Sequence, residues 1–146
     1  MIEVVVVSAI ICAVSLSYVG ALATLSRFHQ KNMYAIKGGL LAEEAIEAVR
    51  YASRASWAKV QAVPPNTTRY VSLNGSTWNV VTTPEIVDGF FYRSFKVYTV
   101  YRNSTDDIVA SGGTADTDTL LIQSFVSWNW RGATSTASYQ TYVTRL

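Results

Sequence analysis

Residues 1–26 read MIEVVVVSAIICAVSLSYVGALATLS, and Glu3 is the one charged side chain among them. Everything else is apolar or small, from Val4-Val5-Val6-Val7 through Ile10-Ile11 and Val14 to Leu22 and Leu25. An α-helix rises ~1.5 Å per residue, so a run of this length spans a hydrocarbon layer of ~30 Å. A carboxylate in that layer is costly unless a cation meets it, which makes Glu3 a candidate functional residue. The nearest kind of cation is an amino terminus. Glu3 of one copy facing the amine of Met1 in another would be an assembly contact. A cleavable secretory signal would open with a positive segment and close at a small-residue cleavage site. Here the first positive charges, Arg27, Lys31 and Lys37, follow the apolar run. An ordinary single-pass anchor is the other reading.

Working outward, no proline interrupts residues 27–60, and the composition is that of a helix, notably Leu40-Leu41-Ala42-Glu43-Glu44-Ala45-Ile46-Glu47. Leu41, Ala45, Ala48 or Val49, Ala52, Ser56 and Val60 recur at spacings of three and four, which places an apolar stripe opposite the charges. Pro64-Pro65 closes the segment. Residues 1–60 are therefore expected to form one N-terminal helix. Over residues 1–26 it is apolar all round, for membrane or filament core, and over residues 27–60 it is amphipathic.

From residue 61 to 146 the texture changes to Thr, Ser, Tyr, Val and Trp, and alternation replaces the helical period. Residues 69–73 and 77–81 flank Asn74-Gly75-Ser76, a hairpin signal. Residues 90–102 form a long strand candidate with Phe91, Arg93, Phe95, Val97, Thr99 and Tyr101 on one face. Residues 120–128 and 138–145 complete an antiparallel meander whose one face needs cover. The amphipathic half of the helix supplies it. The expected fold class is α+β, a long N-terminal helix packed against a small antiparallel sheet.

Composition narrows function. The net charge is +2, with no basic cluster on a recognisable nucleic-acid fold, so no nucleic-acid partner is expected. Cys12 is the one cysteine, which rules out a disulfide within the chain. His29 is the one histidine and pairs with no nucleophile in any known motif, and neither a phosphate loop nor a Gly-x-Ser-x-Gly is present. An enzyme is not expected. Gly38-Gly39 follows no strand and marks a flexible or closely packed point in the helix. Asp106-Asp107 and Asp116-x-Asp118 lie in a turn-rich link. Turn chemistry accounts for them, and Ca²⁺ is the cofactor such oxygens would suit.

The opening Ile2-Glu3-Val4-Val5-Val6-Val7-Ser8-Ala9-Ile10-Ile11 resembles the start of type IV pilins and of type II secretion pseudopilins. Further segments resemble the pilin-like proteins of ultrasmall, reduced-genome bacteria. They are residues 40–60, Asp88-Gly89-Phe90, Tyr101-Arg102, Gly112-Gly113-Thr114 with Asp116 to Thr119, Val126-Ser127-Trp128, and Tyr142-x-Thr144. The glutamate stands two residues closer to the start than the family pattern has it, and no charged leader precedes Met1, which on this resemblance implies a processed chain.

The resemblance implies a subunit held in the cytoplasmic membrane and then built into an extracellular filament. Its partners would be copies of itself, a pilus assembly machinery and a prepilin peptidase. Adhesion, motility or DNA uptake would be the filament's work, with a pseudopilin of a secretion or competence apparatus as the alternative. A lone membrane-anchored β-sheet ligand-binding domain is the alternative of another class. Two finer expectations follow. The basic band Arg27, Lys31 and Lys37 should meet the acidic band Glu43, Glu44 and Glu47 of a neighbouring subunit. Ser15, Ser17 and Gly20 mark a stretch that is helical in lipid and unwinds in the assembled fibre, as pilins of this type do.

Overall fold

The computed structural model describes residues 2–145, and the chain divides into two compact units, Met1–Ile36 and Lys37–Leu146. The fold is α+β. Helix α1 covers Ile2–Ala55 without a break, so it makes up the first unit and continues into the second. Within the second unit it buries Gly38, Leu41, Ala42, Ala45, Ile46, Ala48, Val49, Ala52 and Ser53, the stripe that the spacing marks out. The helix does not run on to residue 60. Ser56 turns extended, with φ −161° and ψ 99°, and a short helix α2 follows at Trp57–Gln61. The Ser53 hydroxyl donates to the carbonyl of Arg50 at 2.8 Å, a back-bond of the kind that bends helices. The break turns Trp57 and the wholly buried Val60 onto the core. Burial of these two side chains outweighs the helical bonds given up, which is why the end comes well before Pro64.

Strands β1 (Tyr70–Asn74) and β2 (Thr77–Val81) pair as the expected hairpin. Gly75 takes the positive φ of 63° that the first loop position of such a turn needs. The larger sheet has the order β3-β4-β6-β7, with β5 also on β4, and is antiparallel throughout. Its strands are β3 (Glu85–Val87), β4 (Phe91–Arg102), β5 (Ile108–Val109), β6 (Thr114–Trp130) and β7 (Ala133–Thr144). The inner face of β4 and β6 meets the helix through Phe95, Val97 and Ile122, which pack with Ala45, Val49 and Ala52. Val71, Val63 and Val143 close the same core. Each such apolar side chain contributes about 1.5–3 kcal/mol when fully buried.

Two strand expectations are corrected. The pairing shifts between Thr99, opposite Leu120, and Val100, opposite Asp116. The alternation along β4 inverts there, so Val100 is buried and Tyr101 is exposed. Asp116 and Asp118 lie inside β6 rather than in a turn, because the strand extends to Thr114 to pair with Arg102.

Candidate membrane and assembly surface

In the first unit the large side chains of α1 are exposed on every side, among them Val4 at 71%, Ile11 at 60% and Leu16 at 74%. The helix is long and apolar enough to cross a membrane, and none of its most apolar stretch is covered by the protein. Beyond the first turn the backbone amides are satisfied within the helix, and so are the hydroxyls of Ser8, Ser17 and Thr24. Ser8 donates to the Val4 carbonyl, Ser17 to Ala13 at 2.9 Å and Thr24 to Gly20 at 3.0 Å. Bonding of this kind lowers the cost of placing hydroxyls in lipid. Glu3 has no ion pair among the described residues, and Met1 lies outside them. Ser15, Ser17 and Gly20 sit in unbroken helix, with nothing within 4 Å of a side chain built at Gly20.

The two charge bands are only partly free for a neighbour. Lys37 pairs with Asp88 and lies 5.6 Å from the Phe91 ring centre, Glu47 binds Arg50 at 2.7 Å, and Glu44 lies 3.0 Å from Arg93. Arg27, Lys31 and Glu43 have no ion pair among the described residues.

The four candidate calcium aspartates do not converge. Asp116 accepts from Arg102 Nε at 2.7 Å, and Asp106 lies 3.6 Å from the same nitrogen. Asp107 accepts from the Thr105 hydroxyl, and Asp118 lies 3.6 Å from Arg145. Arg102 thus stands between Asp106 of the loop after β4 and Asp116 of β6. Its hydrogen bond, with those of Thr119 and the Asp118 amide, holds the Asp116 carboxyl down at about 2. No group of three or more His, Cys, Asp or Glu is placed to hold a metal among the described residues.

The alternation of β4 sets Arg93 on one face with Phe91, Phe95 and Val97 and gives it no role. The structure buries it, with its side chain 4% exposed. Its guanidinium donates twice to Glu85, at 2.7 and 2.8 Å, and lies over the Trp78 ring at 5.2 Å. Nη1 faces Glu44 at 3.0 Å as a charge contact without hydrogen-bond alignment. Burial works against its charge, but the two glutamates prevail and raise its pKa. One side chain therefore ties α1, β3, β4 and the hairpin together. The signal was an arginine alternating with Phe91, Phe95 and Val97, where only a paired charge is tolerated.

Compared with known proteins, the chain matches no family model, no curated protein sequence and no solved structure.

Proposed function

We propose that the chain is the structural subunit of a pilus-like filament, anchored in the cytoplasmic membrane by α1 before assembly and exposed outside the cell afterwards. The observation that carries this reading is the all-round exposure of large apolar side chains from Val4 to Leu25, set beside a second unit whose core is complete without them. A helix of that kind leaves water only by entering lipid or a bundle of like helices, and passage between those two media costs little. Bundle specificity then falls to packing and to Glu3, whose charge needs a cation once water is gone. The amine of a neighbouring copy has the right chemistry. Supporting this over a lone anchor is the solitude of Glu3 in the apolar run, since an anchor alone has no use for a charge there.

Glu3→Ala is expected to leave the subunit in the membrane fraction and to abolish fibres in electron micrographs of sheared surface material. Normal fibre numbers from that variant would overturn the assembly role. Absence of this chain from sheared fibres by mass spectrometry would favour the lone anchor, and short, secretion-linked fibres would favour the pseudopilin.

A further inference from the structure

The large sheet has two faces, and the helix and hairpin cover one. On the other, the outward residues of β4 up to Tyr98, of β6 from Leu121 and of β7 from Thr134 are all exposed or half-buried. Their chemistry is unusual in one respect. Lys96 is the only charged residue among them, and its ammonium already donates to Asn66 Oδ1 at 3.0 Å. The remainder are tyrosines, glutamines, serines, threonines and Asn129, with Leu121 and Phe125 half-buried between them.

The pairing register sets these side chains in rows. Tyr98, Leu121 and Tyr142 are opposite one another on β4, β6 and β7. Lys96, Gln123 and Gln140 form the next row. Adjacent strands lie ~4.8 Å apart, so the two tyrosines stand about 10 Å apart across the sheet, with the paired amides ~7 Å away along it. Tyr92 at 54% exposure and Tyr142 at 48% extend the aromatic surface to both ends of the face.

We propose that this face binds a neutral, extended polysaccharide that runs across the strands. Sugar rings present polarised C–H groups on their flat faces, which suit the negative face of a tyrosine ring. The spacing of Tyr98 and Tyr142 is on the order of two linked rings, so both can stack on one chain. Gln123 and Gln140 then exchange hydrogen bonds with the hydroxyls at its side, since each amide both donates and accepts. The near-absence of charge selects against the alternatives. Within these rows a phosphate-rich or acidic polymer would find one partnered lysine and a basic one no carboxylate, and Arg102 and Asp116 beyond Thr119 are paired with each other. The apolar side chains are too interrupted by polar ones to make the dry centre of a protein interface. The inference stands on the sheet alone and does not depend on filament assembly.

The test uses the full chain in detergent micelles without sugar headgroups, titrated calorimetrically with cellohexaose, mannohexaose, chitohexaose and maltohexaose, and with a heparin fragment as the anionic probe. At least one neutral hexasaccharide is expected to bind, with an affinity that does not change with salt. Tyr98→Ala and Tyr142→Ala should each weaken it by about tenfold. Tyr142→Phe should retain it, and Tyr139→Ala, on the helix side of β7 beside Gly39, should leave it unchanged. Unaltered circular dichroism melts would show that the variants fold. The proposal fails if none of the four neutral sugars binds, if only heparin binds and salt abolishes it, or if the Tyr98 and Tyr142 variants bind like the parent. It also fails if light scattering finds a dimer that Tyr142→Arg dissolves, since the face would then belong to a second copy.

Discussion

Gly38 and Gly39 are neighbours in α1, and the packing gives them opposite roles. A Cβ at Gly38 would lie 2.8 Å from Trp128 Cη2, an indole that is itself buried, whereas one at Gly39 would meet the Tyr139 side chain at ordinary contact distance, 3.6 Å from its hydroxyl and 3.9 Å from Cε2. Alanine gains about 1 kcal/mol over glycine inside a helix, and overpacking costs about 1–3 kcal/mol. Gly38→Ala is therefore expected to lower the melting temperature and Gly39→Ala to raise it, a difference in sign that thermal denaturation reads directly. Arg93 should be the most sensitive polar position. Arg93→Ala leaves Glu85 half-covered without its cation, and a loss of about 2–3 kcal/mol is expected in denaturant titration, discounted because Glu44 is half exposed. Arg93→Lys should not restore it, because an ammonium cannot make the forked contact with Glu85. Asp116 gives the pH dependence. Its carboxyl is held at about 2 in the folded chain against an ordinary 3.8, so its contribution is fully present above about pH 4 and is lost as pH falls toward 2. Asp116→Asn should flatten that part of the acid-denaturation curve, and an unchanged curve would count against the Arg102 pairing.

At the scale of elements, the apolar half of α1 can be challenged with a single charge. Ile11→Lys places an ammonium near the middle of the exposed run, at a cost of about 3 kcal/mol for membrane insertion, and the fraction recovered in membranes should fall accordingly. Hydrogen exchange offers a second check. Amides of residues 14–24 are expected to be protected in lipid, and a fibre map with unbroken helix there would leave Ser15, Ser17 and Gly20 as packing residues only. Much of this architecture is legible in the sequence, and the reasons are local. The stripe Leu41 to Ala52 and the Asn74-Gly75-Ser76 turn are written in spacing and in backbone preference. What escapes the sequence depends on partners distant along it. The shift at Thr99 follows from how β6 must lie to bring Asp116 to Arg102. The end of α1 at Ala55 follows from the place that Trp57 and Val60 take in the core. Strands as short as β3 and β5 carry no period, and β5 exists only as an edge on β4. The roles of Glu3 and of the sheet face are chemical inferences from solitude and from uncharged rows, and backbone patterns do not encode them.

For the whole molecule, the proposed filament would draw on charges that have no ion pair among the described residues. With Lys37, Glu44 and Glu47 occupied within the chain, Arg27, Lys31 and Glu43 would be the set offered to a neighbouring subunit. Lys31→Glu is expected to disturb subunit spacing in fibres, and the double variant with Glu43→Lys to restore part of it. Exposed pairs are worth about 0–1 kcal/mol each, so helical parameters from fibre images should change more than fibre yield. The composition of the core has a consequence in time. Its inner layer joins Ala45 and Val49 of the helix to Ile122 of β6 and to Val143 of β7, the strand that follows β6 in chain order. The helix stripe therefore lacks half of the sheet it docks on until β6 and β7 have been made. Synthesis at ~5–20 residues per second leaves an interval of several seconds between the emergence of the two halves. The apolar residues at the front of the chain are available throughout it. If they enter a membrane during synthesis, they do so before the domain exists, and a defect in β7 is then expected to strand delivered chains instead of preventing their delivery.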